Sequence, residues 1–164
     1  MIEERNLEGL VEQFGYHADE LSAQRILLDR LPDSILKAVP LEGSRSIHDR
    51  YVDLLSRETK ILYVISSVIE GKATEAESGL PSEPGAESIA TAELAQRMAR
   101  LRSEGANILA SMNASEWNTP VCAEEEDVDL AGWLYRIVLE DADELKAIGE
   151  QFFEQQITFA GNRS

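Results

Sequence analysis

Apolar residues recur along most of this chain at intervals of three and four, the spacing of one face of an α-helix. Four segments carry this pattern, at about residues 6–31, 46–70, 88–112 and 129–156. Helices of that length would each run for roughly 35–40 Å. We find no stretch that alternates with a period of two for long enough to predict a β-strand. The pattern therefore predicts an all-α protein, an up-down-type four-helix bundle formed by residues 1–164 as a single domain.

The segments between the predicted helices are rich in glycine, proline and polar residues. The first, LPDSILKAVPLEGSRS, contains two prolines and a glycine and is predicted to hold at most a short turn of helix. The second, at about residues 71–87, is predicted to be a flexible crossover. Asp129 stands where it would cap the first turn of the fourth helix.

Charged residues interrupt the apolar faces of three predicted helices. At 100° per residue, Asp141 falls in the middle of the apolar face of the fourth helix, and Glu144 falls on its edge. Glu58 lies at the centre of the second face and Arg25 at the centre of the first. An acid that faces a core must be paired, protonated or bound to a ligand. We predict that Arg25 bridges one or both core carboxylates, which would fix the register of the bundle.

The charge of the chain limits its partners. With 15 Lys and Arg residues against 31 Asp and Glu residues, its formal net charge is −16. A nucleic-acid partner needs a basic surface, so none is expected, and docking on anionic membranes is disfavoured. The longest strongly apolar run, residues 61–69, is too short to span a bilayer. The acidic N-terminal stretch does not resemble a signal peptide, so a cytoplasmic location is expected.

Few residues of this chain are suited to soft-metal or nucleophilic chemistry. The di-iron pattern of helical bundles needs a Glu three residues before a His, but Phe14 precedes His17 and Arg45 precedes His48 at that distance. The single cysteine, Cys122, excludes an internal disulfide and a cysteine-based metal cluster. We interpret His17 as a partly buried packing residue.

Two stretches of the chain follow the pattern of a known family. LLDRLPDSILKAVPLEGSRSI places a Leu-Pro, a second proline and a glycine before Ser46-Ile47, which opens the second helix. In the fourth helix, Glu144 is followed by Leu-Lys-Ala-Ile where the family has a His followed by Leu-Gly-Gln-Ile. In these stretches the chain resembles the DinB/YfiT-like superfamily of four-helix-bundle metalloenzymes, and the similarity extends over most of its length.

The resemblance implies a metal site whose ligands have changed. In its register the three metal-binding histidines of the family fall on Asp53, Glu140 and Glu144. Three carboxylates favour Mn²⁺, Mg²⁺ or Ca²⁺ over Ni²⁺ or Zn²⁺. The resemblance then implies a divalent-metal-dependent hydrolase or thiol transferase, in which Glu58 or Asp141 is close enough to act as the base.

Two alternatives stand beside the metalloenzyme. If the three acids only form a solvated face and bind no ion, the chain is a metal-free interaction module. It would then be a homodimer, paired through exposed apolar positions such as Val64 and Val68. The other alternative is a pocket for an unidentified small molecule at one end of the bundle, closed by Trp117 and Trp133. Convergence of the three acids on one point would favour the metal site.

Overall fold

Helices make up most of the chain in the computed structural model, which describes residues 6–39, 45–71, 85–123 and 126–161. None of the described helices is long and apolar enough to cross a lipid bilayer. In chain order, the elements are α1 Leu7–Arg30, α2 Asp33–Leu36, α3 Ile47–Ile69, α4 Thr91–Ala110, α5 Ala114–Trp117, β1 Pro120–Ala123, β2 Glu126–Asp129 and α6 Leu130–Gly161.

The four long helices, α1, α3, α4 and α6, are those that the apolar spacing predicts. The mostly helical structure thus agrees with the all-α prediction, and α6 continues past its predicted end to Gly161. The proline-rich connector holds the short helix α2, also as predicted. The predicted crossover lies mostly outside the described residues. Where the description resumes, Gly85 has a φ of 82°, a left-handed conformation that favours glycine.

The prediction that the chain contains no strand is wrong for residues 120–129. There β1 and β2 pair in antiparallel register, with Val121 opposite Val128. Each strand is only four residues long, which is too short for a period-two pattern to stand out in the sequence. The hairpin is anchored because Val121 is fully buried and the Leu130 N–H donates to the Thr119 carbonyl at 2.9 Å.

Side-chain caps define where three of the long helices begin. Asn6, Ser46 and Asp129 each accept a hydrogen bond from the backbone N–H three residues later, at 2.8, 3.0 and 2.8 Å. Each cap satisfies a donor that the first helical turn leaves without a partner. The prediction that Asp129 caps the fourth long helix is therefore confirmed.

The contacts between helices give their directions. His48 in the first turn of α3 binds Thr91 at the start of α4, and Glu58 meets Arg102 midway along the same two helices. These helices therefore run side by side in one direction. In contrast, α6 runs against α3, because Arg57 reaches residues 137–141 while Arg50, nearer the start of α3, reaches residues 144–151. The long helices thus do not alternate in direction along the chain, so the predicted up-down order is wrong for α3 and α4, which are consecutive and parallel.

The four helices share an apolar interior that divides into two clusters. One is built around Leu21, Tyr51 and Met98, and the other around Phe14 and Ile65. The expectation that Val64 and Val68 lie on an exposed face is wrong, because both are buried in the second cluster. They belong to the inward face of α3 with their neighbours one turn away, so they do not provide a dimer surface.

A glycine allows close packing between α1 and α4. A Cβ atom on Gly105 would lie 3.3 Å from Cε1 of Phe14 and 3.5 Å from Cδ1 of Ile65. Both neighbours are fully buried apolar side chains, and tightly packed interiors accommodate added atoms poorly. The absence of a side chain at residue 105 therefore sets how closely the helices approach.

We expect Gly105→Val to lower the free energy of unfolding by about 1–3 kcal/mol, because the added methyl groups must displace Phe14 or Ile65. Ser103→Val, which places the same side chain on the exposed face of α4, is the matched control and should change stability by less than about 1 kcal/mol. Urea denaturation measures both effects. Equal midpoints for the two variants would contradict the close approach at Gly105.

Candidate functional site

A fully buried arginine on α4 joins three of the long helices. The Arg102 guanidinium donates two hydrogen bonds to Glu58 of α3, one of them from Nε to Oε2 at 3.0 Å. Its Nη1 donates to Oδ2 of Asp141 on α6 at 2.7 Å. It also stacks on α1, with Cζ 4.2 Å from the centre of the Phe14 ring and Nη1 3.3 Å from the Phe14 carbonyl oxygen. Both core acids are thus held by one cation.

A second arginine completes this network from the edge of the core. Arg57 on α3 donates to Oδ1 of Asp141 at 2.7 Å, to Oε2 of Glu140 at 2.8 Å and to the Ile137 carbonyl at 3.3 Å. As a result, all four carboxylate oxygens of Glu58 and Asp141 accept hydrogen bonds. Two buried negative charges are therefore balanced by two positive charges, as burial of ionised groups requires.

Burial and pairing act in opposite directions on these groups. Burial tends to raise the pKa of Asp141, but the charge and hydrogen bonds of Arg102, with smaller contributions from His17 and Arg57, hold that pKa below its ordinary value. Burial raises the pKa of Glu58, and Arg102 only partly opposes this. The two carboxylates raise the pKa of Arg102 despite its burial. The guanidinium therefore remains charged and holds both acids.

The network and the neighbouring His17 form a polar layer that lies between the two apolar clusters on every long helix. Along each helix, members of one cluster precede the charged or polar residue and members of the other follow it. The four residues in this layer are His17 on α1, Glu58 on α3, Arg102 on α4 and Asp141 on α6. The polar layer therefore divides the apolar core across its whole width.

His17 borders the network without joining it through a hydrogen bond. Its Nε2 lies 4.0 Å from Oδ1 of Asp141, and its Nδ1 lies 3.8 Å from Oε2 of Glu20. Both distances are too long for a hydrogen bond, and Nδ1 has no hydrogen-bond partner among the described residues. Burial lowers the pKa of His17 to about 4, with Asp141 opposing the shift and Arg102 and Arg57 adding to it. The buried ring is thus neutral at pH 7.

His17, Glu58 and Asp141 each offer an atom that could bind a metal, and these atoms lie within 4.8 Å of one another. However, every oxygen of the two carboxylates already accepts a hydrogen bond from a guanidinium. The Arg102 charge would also repel a second cation at the same place. As arranged in this structure, these residues do not fit a metal site.

The three acids predicted as metal ligands each bind a different arginine. Within the described parts of the chain, they do not form a group whose ligand atoms lie within 4.8 Å of one another. Their role as ligands for one ion therefore stays a prediction. The pairs are Asp53 with Arg45, Glu140 with Arg57 at 2.8 Å and Glu144 with Arg50 at 3.2 Å.

Two of these arginines form a seam between α3 and α6. Arg50 and Arg57 are two turns apart, so they project from the same side of α3. Besides Glu144, Arg50 binds Oε1 of Gln151 at 2.6 Å. The amide nitrogen of Gln151 in turn donates to the Arg45 carbonyl at 3.0 Å. Arginine side chains of α3 thus form ion pairs with the acids that face them from α6.

The prediction that Arg25 bridges the core acids is wrong. Arg25 is half exposed and lies 3.7 Å from Asp29, one turn along α1. The inward face of α1 passes instead through Gln24, which accepts a hydrogen bond from the buried Tyr51 hydroxyl. A shift of one residue turns a side chain by 100°, which is enough to move Arg25 out of the core.

Arg102, the cation that binds the core acids, was not singled out by sequence reasoning. A signal for it exists, because the buried positions of α4 follow one another at alternating intervals of four and three and include residue 102. These positions are Thr91, Ala95, Met98, Arg102, Gly105 and Leu109.

His48 is held within the structure and is not available as a ligand. Its Nε2 lies 3.0 Å from the Glu87 carbonyl, which can only accept, so Nε2 carries the proton. Its Nδ1 then accepts a hydrogen bond from the Thr91 hydroxyl at 2.7 Å. This side chain therefore ties the start of α3 to the start of α4.

Two grooves flank the N-terminal half of α1. One, of about 690 Å³, lies between α1 and α6, and its apolar lining includes Leu10 and Tyr135. The other, of about 740 Å³, lies against α4 and α5 and is lined by Val11 and Trp117 among others. Trp117 thus lines the second groove, whereas Trp133 lines neither, and a small-molecule pocket closed by both tryptophans stays a prediction.

A scan against protein-family models found no match for this chain. A search of curated proteins found none either. The DinB/YfiT-like resemblance therefore rests on the motifs around Ser46 and Glu144 and on the helical architecture, and it stays a prediction.

We expect Arg102→Met to lower the free energy of unfolding by about 3–5 kcal/mol at pH 7, because it leaves two buried carboxylates without their cation. The loss should shrink in acid, because without Arg102 burial raises the pKa values of Glu58 and Asp141 in the variant, so that both acids become neutral there at a higher pH than in the natural protein. Arg25→Met, which removes a half-exposed arginine, is the matched control and should cost less than about 1 kcal/mol. Urea denaturation at pH 7 and pH 5 measures these effects. Similar losses for the two variants would contradict a central role for Arg102.

The lowered pKa of His17 predicts a pH dependence of stability. Between pH 6.5 and about 4, the unfolded chain binds a proton at His17 that the folded chain does not, so stability falls as the pH falls. The full effect is about 3 kcal/mol. His17→Gln removes this contribution while leaving the acids to titrate in both proteins. Denaturation from pH 7 to pH 4 should show a shallower decline for the variant, and parallel curves would contradict the prediction.

Proposed function

We propose that this protein is a metal-independent interaction module, built on a DinB/YfiT-like helical bundle in which the two central long helices run parallel. The observation that carries this proposal is the pairing of each predicted ligand carboxylate with an arginine. The two acids that were candidates for the base, Glu58 and Asp141, are likewise held by Arg102. The carboxylates of the family-type site act here as partners of basic side chains.

Electrostatics support this choice over a metalloenzyme. A divalent ion at Glu140 and Glu144 would have to displace Arg57 and Arg50, or bind beside their positive charges. Displacing Arg57 would also remove one of the cations that hold Asp141. Binding an ion would thus disturb the network that joins α3 to α6, and a hydrolase or thiol transferase would need that rearrangement in every active molecule.

The described surface has the features of a binding protein rather than those of a catalytic centre. The two grooves beside α1 have mainly apolar linings. Three large apolar side chains are also exposed on the described part of α6, namely Tyr135, Leu139 and Phe153. Contiguous exposed apolar surface commonly marks contact with another molecule. These features support a role in binding a partner.

The test is calorimetric titration with Mn²⁺ and Ni²⁺ of protein purified without chelators or a histidine tag. We expect no saturable heat and no change in melting temperature for the natural sequence. Arg50→Gln combined with Arg57→Gln should gain measurable Mn²⁺ binding, because Glu140 and Glu144 lose their cations.

Binding of one ion per natural chain, lost in Glu144→Gln, would overturn the proposal and favour the metalloenzyme hypothesis instead. Glu150→Gln is the matched control, since it removes an exposed acid from the same helix without touching the arginine seam. A bound ion that is unaffected by Glu144→Gln would also overturn metal independence, although it would place the ion elsewhere.

A further inference from the structure

The outer face of α6 carries an apolar stripe that nothing in the described chain covers. Tyr135, Leu139 and Phe153 are 58%, 51% and 67% exposed. Ala142 and Gly149 lie between them on the same face and are also exposed. Together with Lys146, these residues follow one another at intervals of four and three, so they form one line along the helix. From Tyr135 to Phe153 the stripe is about 27 Å long.

No contact among the described residues explains why residue 149 is a glycine. A Cβ atom added there would meet no described atom within 4 Å. A glycine inside a helix is destabilising relative to alanine, because it gives the unfolded chain more conformational freedom. Four other helical glycines within the described residues, Gly9, Gly15, Gly105 and Gly132, each have a neighbour that a Cβ would approach closely. The small residue in the stripe therefore suits a close approach from outside the chain.

We propose that the stripe binds the same stripe of a second copy of this chain, with the two α6 helices antiparallel. The pattern of large and small residues is self-complementary about a point midway between Ala142 and Lys146. In that register Leu139 of one copy lies over Gly149 of the other, and Tyr135 lies against Phe153. Both contacts occur twice, as in a two-fold symmetric dimer. A leucine side chain thus fills the space that the glycine leaves.

The charges at the centre of the stripe complement each other in the same register. Lys146 of one copy lies opposite Ala142 of the other and therefore next to its Asp143. Two lysines and two aspartates then alternate around the symmetry axis with no net charge. This local balance matters because two chains of net charge −16 otherwise repel each other. Charge complementarity thus favours a second copy over an apolar partner without matching charges.

The groove between α1 and α6 extends the proposed interface. Tyr135 belongs to the stripe and also lines this groove, together with Leu10 and Val138. Phe153 of the second copy, opposite Tyr135, would lie at the mouth of the groove. The interface would therefore cover two apolar features with one contact. This inference specifies the partner of the interaction module proposed above and rests on that function, whereas its test does not involve metal binding.

The first experiment measures molecular mass by light scattering over a concentration series, for the natural sequence and for Gly149→Leu. The natural protein should be a dimer at high concentration. Gly149→Leu should raise its dissociation constant at least about tenfold, because the new side chain occupies the space of Leu139. The same substitution should raise the melting temperature of the monomer, since it replaces a helical glycine at a position where an added Cβ atom meets no described atom within 4 Å.

Two further variants identify the face and its control. Leu139→Ser should weaken the dimer by a similar factor. Ile26→Ser removes a comparably exposed apolar side chain from α1 and should leave the dissociation constant unchanged. Lys146→Glu and Asp143→Lys should each weaken the dimer, and their combination should restore it, because the exchanged charges again face each other across the axis.

A monomer at every concentration would overturn the inference, and so would a dimer that tolerates both Gly149→Leu and Leu139→Ser. A failure of the charge exchange to restore association would overturn the antiparallel register. In each case the metal titration remains an independent result, so failure of the dimer and failure of metal independence are distinguishable.

Discussion

The structure depends on the placement of one guanidinium inside the core. Ionised carboxylates can be buried only where cations and hydrogen-bond donors replace water. Here Glu58 and Asp141 come from different helices, and Arg102 must reach both while stacking on Phe14. Small shifts of any helix along its axis would break one of these bonds. Burial of the two apolar clusters drives folding. The polar layer between them then determines how the helices are aligned along their axes.

The sequence predicts the positions of the buried acids better than it predicts their partners. Asp141 and Glu58 are identified by the helical period, because a charge in an apolar stripe stands out along a single helix. The cation is harder to identify, because the helical period places Arg25 at the centre of an apolar face, whereas in the structure Arg25 is half exposed and Arg102 meets the acids across helices. The cap at Asp129 depends only on local sequence, and its prediction is confirmed. The hairpin at residues 120–129 is too short to leave a local signal.

A similar limit applies to the acids at the family-type positions. A carboxylate that binds a cationic side chain and one that binds a metal ion look identical in a sequence. What separates them is the residue that faces them from another element, and here Arg50 and Arg57 face α6 from α3. Basic residues two turns apart on one helix and acids on another are thus a pattern to examine before a metal is assigned to such a cluster.

The parallel course of α3 and α4 sets a lower limit on the length of the chain between them. Because His48 ties the starts of both helices together, the described chain ends after α3 at Gly71 and resumes at Gly85 near the opposite end of that helix. That distance is about 35 Å for a helix of this length, and an extended chain needs about ten residues to cover it. Insertions there raise the entropy cost of loop closure only slowly. During evolution this connection is therefore free to grow, whereas the loss of more than a few residues would separate the two helices.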